Sequence, residues 1–217
     1  MPLKNLVPVN GKPLIEWTIN ASLCTEQINR TIVSTDDDEI ASISTGLGAE
    51  IVRRPADISG HFASSEAAIL HVLEELKSRE DYGPDLVVFL QATAPIRGKF
   101  DISDAIEKFI AEEADSMLSV SATPGFIWKI DDDGSVPISF ELEKRPRSQE
   151  IKDKYVIENG SIYIFKPEII IQKNNRLGGK IVAFYQNAIS SFDIDYPEDL
   201  EVVDVLLREF SSPTVEV

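Results

Sequence analysis

Two aspartates one residue apart, Asp193 and Asp195, offer the clearest chemistry in the chain. In a strand, side chains two apart share a face with their Cα atoms about 6.5 Å apart, so the two carboxylates can ligate one divalent cation such as Mg2+ or Mn2+. A second reading competes for Asp195, because Asp195-x-x-Glu198 with Pro197 in the first turn fits a capping box at a helix start. Capping leaves Asp193 against an apolar core without a partner, which is costly. Both readings stand on spacing alone.

Three further clusters could bind a ligand. Gln91 and Thr93 follow the most apolar run, Val87 to Leu90, at the carboxyl end of a strand, where open α/β sheets bind ligands and where these side chains could read a base edge or a ribose; a plain strand-ending turn also explains them. Arg54 precedes Ser64 and Ser65, and a serine at a helix head with free backbone N–H groups is an anion site, although an ordinary N-cap needs no ligand. Lys144, Arg145 and Arg147, with Gln149, are either a solvated charge run or a segment that reaches into a site. Asp36 to Asp38 read as helix capping, Trp17 and Trp128 as packing residues, and His61 and His71 sit in unrelated contexts.

Bulk composition narrows the partners. Lys plus Arg number 21 against 37 Asp plus Glu, a net charge of −16 that disfavours nucleic acid. One cysteine, Cys24, and two histidines argue against a disulfide or a zinc site, so a metal would be held by oxygen. No apolar run approaches the roughly 20 residues of a membrane span, and residues 1–11 carry no secretory pattern, so a cytoplasmic protein without membrane contact is expected.

The elements that must position these residues alternate. Thr31 to Ser34, Leu86 to Leu90, Ser116 to Val120 and Gly160 to Phe165 read as strands, the second of them central and covered on both faces. Helices are expected from Pro13, near Asp38 to Thr45, Ser65 to Arg79, Ile102 to Ala111, and Pro197 to Phe210. The alternation predicts an α/β domain over residues 1–210 with a mostly parallel sheet, and residues 211–217 as a tail. Between about 123 and 159 the pattern breaks into a hairpin-like insertion, read as an arm or lid. A parallel domain normally opens on a strand and a glycine-rich turn, yet the first helix begins at Pro13, and neither dinucleotide nor P-loop glycine motifs occur.

In order along the chain, the pieces resemble the acylneuraminate cytidylyltransferases, the CMP-sialic acid synthetase family. The resemblance rests on Lys4-Asn5-Leu6-x-Pro8-x-x-Gly11-Lys12-Pro13-Leu14-Ile15-x-Trp17, Ser34-Thr35-Asp36-Asp37, Arg54-Pro55-Ala56, Ala63-Ser64-Ser65-Glu66, Leu90-Gln91-x-Thr93-x-Pro95-x-Arg97, Arg145-Pro146-Arg147-x-Gln149, Glu158-Asn159-Gly160-x-Ile162-Tyr163 and Asp193-Ile194-Asp195-x-Pro197-Glu198-Asp199. It implies a three-layer, Rossmann-like nucleotidyltransferase fold with an inserted β-hairpin dimerisation arm, and hence a homodimer. It also implies transfer of CMP from CTP to the anomeric hydroxyl of a nine-carbon keto acid sugar, with release of pyrophosphate. Carried over, Lys4 would neutralise the triphosphate, Asn5, Arg54, Ser64, Ser65, Gln91 and Thr93 would line the nucleotide and sugar pocket, and Asp193 and Asp195 would hold Mg2+ or Mn2+. Lys129, Arg147 and Gln149 would meet the acid sugar from the arm, and Tyr163 would pack beside it.

Two departures from the family shape the remaining expectations. The family places a strand and a Gly-, Ser-, Lys- and Arg-bearing loop ahead of its Lys-Asn pair, whereas this chain starts at Met1 inside that loop. Little transfer is therefore expected of the chain as written, with a non-catalytic nucleotide-sugar-binding subunit as the alternative. Asn174 to Gly179 lacks the aromatic residues expected near the N-acyl group, and Ala94 replaces a usual serine. N-acetylneuraminate, legionaminate and pseudaminate all remain candidate sugars, while Arg145-Pro146-Arg147-x-Gln149 disfavours the 3-deoxy-octulosonate class.

Overall fold

The structure, a computed structural model, describes residues 3–60, 63–123, 125–147 and 155–210. A short 3-10 turn (Lys4–Leu6) leads into a small antiparallel pair, β1 (Pro8–Val9) and β2 (Lys12–Pro13), and then α1 (Leu14–Leu23), β3 (Ile32–Thr35), α2 (Asp38–Leu47), β4 (Glu50–Arg53), α3 (Ser65–Glu80) and β5 (Val87–Leu90). There follow α4 (Asp101–Ala111), β6 (Ser116–Ala122), the hairpin β7 (Trp128–Asp131) and β8 (Gly134–Pro137), β9 (Val156–Phe165), α5 (Pro167–Lys173), β10 (Ile181–Gln186) and α6 (Pro197–Phe210). The expected strands and helices recur within a few residues of their predicted bounds. β4, α5 and β10 are elements that the sequence reading did not find.

Local chemistry explains the helix starts. The Asp37 carboxylate accepts from the backbone N–H groups of Glu39 at 2.9 Å and Ile40 at 2.8 Å, which caps α2 as the acidic run suggested. Ser64 does the same for α3, accepting from Ala67 at 3.1 Å. At α6 the acceptor is Asp199, which reaches back to the N–H groups of Asp195 at 2.9 Å and Tyr196 at 2.7 Å. The third-position acid therefore serves the turn, and the capping role considered for Asp195 passes to Asp199.

The main sheet has the strand order β10, β6, β9, β5. β6 and β10 are parallel, while β9 runs antiparallel to both β6 and β5, so three of the four strands point one way and β9 alone is reversed. β3 and β4 form a separate parallel pair. The period of two in β9 divides the core. Ile162 and Ile164 pack with Ile102, Ile106 and Phe109 of α4, and Tyr163 and Phe165 pack with Ile69 of α3 and Ile170 of α5. Helices thus cover both faces of the sheet. One expectation needs correction: β5 lies at an edge of this sheet, with all four residues half-buried, rather than at its doubly covered centre. Its apolar run faces a cleft.

The predicted arm contains the β7–β8 hairpin, paired from Trp128–Pro137 to Asp131–Gly134, and Gly134 at φ +135° supplies the left-handed turn residue. Ile130, Val136 and Ile138 are exposed on it. Residues 148–154 and 211–217 lie outside the described residues, and Gln149 and the expected tail with them.

Candidate functional site

A cleft of about 970 Å3 opens between β3 and β5, and a hollow of about 390 Å3 adjoins it; Asn5, Arg54 and Thr93 line both. Most of the cleft is apolar, walled by Ile19 of α1, Ile69 and Leu73 of α3 and Ile106 of α4. A triphosphate does not belong against such a wall. Its polar end, where Asn5, Ser34, Arg54, Ser65, Gln91 and Thr93 converge, does suit a polar anion.

Four chain regions build that end. The 3-10 turn presents Lys4, whose ammonium donates to the carbonyl of Ile194 and, at 3.4 Å, to the Asp195 carboxylate. Asp193 and Asp195 sit on an irregular connector between a 3-10 turn (Ala188–Ser191) and α6, so the strand expected here is absent. Ile194 between them is fully buried, and its N–H donates to the Thr93 carbonyl at 2.9 Å. This bond ties the acidic pair to the turn after β5, with Asp193 half-buried and Asp195 exposed. Arg54, after β4, has its Nη2 3.4 Å from Asp36 while its Nε is sealed from solvent.

The turn after β5 is held from beneath. Arg97 donates from Nη2 to the carbonyls of Gln91 and Ser161, both at 2.8 Å, and from Nη1 to Thr18 Oγ1 at 2.9 Å. Burial pulls the Arg97 guanidinium down to about 10, against the opposing pull of Asp101 and Asp193, so it stays charged at neutral pH. The Asp199 carboxyl lies below its ordinary value because the Tyr196 and Asp195 N–H groups hold its ionised form.

The remaining expected residues divide between the cleft and its surroundings. Ser65 lines it, whereas Ser64 spends its hydroxyl on the α3 cap. Tyr163 is buried beside Phe89, a cleft residue, with ring centroids 6.0 Å apart, and Arg176 lies over it at 4.3 Å. Its hydroxyl donates to Glu158, and burial, with that carboxylate, pushes the phenol up to about 12. Arg176 also pairs with Glu66 at 2.8 Å. Lys129 on β7 pairs with Asp131 at 3.0 Å, and neither it nor Arg147 lines the cleft or the hollow of its own chain. The sequence reading assigned no role to Arg97, Glu66 or Arg176. Only the place of Arg97 in the motif after β5 hinted at one.

Among the described residues no group of three or more His, Cys, Asp or Glu forms a cage for a metal. Two carboxylates beside a lysine fit the way Mg2+ is usually held, by one or two carboxylates together with substrate phosphates.

Comparisons with known proteins follow this geometry. A family model described as Cytidylyltransferase matches residues 1–210. The N-acylneuraminate cytidylyltransferase A of Danio rerio is 31% identical over 214 residues, covering 97% of this chain and 48% of the relative, so the chain spans about half the length of that relative. The post-translational flagellin modification protein B of Campylobacter coli is 29% identical over 214 residues, covering 95% of this chain and 88% of the other. A solved structure of CMP:2-keto-3-deoxy-manno-octonic acid synthetase complexed with CTP superposes with a TM-score of 0.70 at 18% identity, covering 97% of this chain and 93% of that one, a likeness of fold.

Proposed function

The chain belongs to the cytidylyltransferase family, and from that premise we propose that it transfers CMP from CTP to the anomeric hydroxyl of a sialic-acid-like nonulosonic acid, releasing pyrophosphate. The observation that carries this reading is that Lys4, Arg54 and the Gln91–Thr93 turn meet at the polar end of the cleft and its adjoining hollow, while the Asp193–Asp195 connector, which lines neither, is tied to them by the Lys4–Asp195 contact at 3.4 Å and the Ile194 N–H bond to Thr93 O. Separate parts of the chain thus bring cations, amide and hydroxyl groups and two carboxylates near one another, the group types that nucleotidyl transfer uses. The name of the Danio rerio relative, an N-acylneuraminate cytidylyltransferase, favours a nonulosonic acid acceptor.

In this mechanism the acceptor oxygen bonds to the α-phosphorus as the bond to the β-phosphate breaks and the hydroxyl proton is lost. Gln91 and Thr93 orient the nucleoside, Lys4 and Arg54 offset phosphate charge, and Asp193 and Asp195 would hold Mg2+ or Mn2+. When bound, that ion supplies charge stabilisation on the transferring phosphoryl group. Alignment within the cleft converts a bimolecular encounter into an oriented one. The hairpin arm, with Ile130, Val136 and Ile138 exposed, would pair two copies about a two-fold axis and bring Lys129 and Arg147 toward the partner's sugar. A cytoplasmic location suits an enzyme of this kind that uses CTP.

Pyrophosphate release with CTP against N-acetylneuraminate, legionaminate and pseudaminate tests the reading. Asp193→Asn should lower turnover at least about 100-fold with the fold intact. CTP binding without release of pyrophosphate from CTP in the presence of any of these acids would replace the enzyme by a nucleotide-binding subunit, and full turnover of Asp193→Asn at low Mg2+ would remove Asp193 from the metal site.

A further inference from the structure

Arg97 joins parts of the molecule that are far apart in sequence. Its Nη1 bonds Thr18 on α1, and its Nη2 is shared between Gln91 O, just past β5, and Ser161 O in β9. Two carboxylates face it electrostatically, Asp101 at the start of α4 and Asp193 on the connector. Asp101 is already engaged, accepting from Gly98 N at 2.9 Å and from Gln186 Nε2 at 2.6 Å. Gln186 in turn accepts from the buried Asn159, so Asp101 stands at one end of a polar chain running through the sheet.

The path from Arg97 to the acidic pair has two steps. Gln91 O is fixed by the guanidinium, and two residues on, Thr93 O accepts the Ile194 N–H at 2.9 Å. Moving the turn therefore moves the residue between Asp193 and Asp195. A planar guanidinium can hold a hydroxyl and two carbonyls on separate elements at once, whereas a lysine ammonium supplies the charge from a single atom without that fork. Apolar packing alone would require neither the fork nor the charge.

We propose that Arg97 is a positioning residue for the transfer reaction, fixing the Gln91–Thr93 turn and, through Ile194, the placement of Asp193. This rests on the reading of the site given above. It goes beyond that reading by naming a residue that touches no substrate and acts through two that would.

Arg97→Lys and Arg97→Met test it, measured for melting temperature, for kcat and KM with CTP, and for amide hydrogen exchange at Ile194. In Arg97→Lys the melting temperature should stay within a few degrees of wild type while kcat/KM for CTP falls at least about tenfold and Ile194 exchanges at least about tenfold faster. Arg97→Met should lose more activity; if it does not fold, the lysine variant carries the test. A purely structural arginine would lower melting and leave the kinetics of the folded Arg97→Lys enzyme unchanged, and that result overturns the proposal, as does unchanged exchange at Ile194. Should wild type release no pyrophosphate with any acid, the functional reading fails on its own, and exchange at Ile194 still decides whether Arg97 sets the connector.

Discussion

The carboxamide oxygen of Gln91 lies 2.4 Å from the point where a Cβ on Gly160 would stand, and Gly160 itself holds φ at +70°. Any larger residue at 160 meets the penalty of a left-handed backbone and, at little further cost, must push aside the flexible end of the Gln91 side chain at the polar end of the cleft. Gly160→Ala is expected to cost roughly 1–3 kcal/mol and to raise KM for CTP by displacing Gln91. The double variant with Gln91→Ala separates the two. It should leave the melting temperature close to that of Gly160→Ala, because the backbone strain stays, and recover none of the KM. Recovery of the KM would mean that Gln91 does not contact the nucleotide.

This pair also marks the limit of what the sequence discloses. Gly160 and Gln91 were both legible as motif members, yet their contact joins β9 to the turn after β5, and no local pattern encodes that pairing. The α/β class, five helices and four strands followed from local periodicity and caps such as Asp37 and Ser64. β10 escaped notice because its run, Ile181 to Gln186, alternates poorly at a sheet edge where Ile181 and Tyr185 are exposed. β5 was misplaced because apolar continuity reports burial on two faces and not the number of neighbouring strands; a strand beside a cleft can share the pattern. The Asp193–Asp195 segment is a connector and not a strand, because its backbone is tied to Thr93 O through the Ile194 N–H, to Lys4 through the Ile194 carbonyl and to Asp199 through the Asp195 N–H. Arg97 was quoted without a role, since a buried cation cannot be told from an exposed one by type alone.

The start of α6 should carry an acid-dependent share of stability. Asp199 has its folded pKa lowered by the N–H groups of Tyr196 and Asp195. A lowered carboxyl pKa contributes stability that is fully present above the unfolded value, near about 4, and is lost as pH falls through the folded value. The urea midpoint of wild type should therefore exceed that of Asp199→Asn at pH about 7, and the two should approach each other as pH falls past the ordinary carboxyl value and through the lowered folded one. A difference that stays constant down to pH about 2 would assign the effect to packing rather than to ionisation.

The hairpin arm offers a direct test of assembly. Ile130 is 79% exposed on β7, with Val136 and Ile138 each 53% exposed nearby. On a monomer these side chains are bare, and Ile130→Asp would change stability by less than about 0.5 kcal/mol. In a two-fold dimer built on the arm, the same change buries an unpaired charge twice, once in each copy. Sedimentation at about 10 μM should then show a dimer for wild type and a monomer for Ile130→Asp. A monomer for both would confine the arm to some other task.

The cleft itself is divided by chemistry, and the division can be tested. β3 and β5 stand on its opposite walls, and among the described residues each pairs with a neighbour on one side only, β3 with β4 and β5 with β9. Helices α1, α3 and α4 add apolar side chains to the walls. An added extended apolar segment of about five residues, joined to the amino end through a short loop, is expected to enter this space and pair with both edges. Each buried side chain contributes about 1.5–3 kcal/mol, against about 1–2 kcal/mol per residue of backbone entropy. The backbone pairs at both edges tip that near-balance toward binding. Melting should rise by about 5 °C or more, and the amides of Ile32 to Thr35 and Val87 to Leu90 should become protected from exchange. KM for CTP should not worsen, because the polar end at Asn5, Arg54, Gln91 and Thr93 lies beyond the apolar walls. A stabilised chain that binds CTP more weakly would show that the nucleotide uses the apolar half as well, and the division drawn here between strand space and substrate space would be wrong.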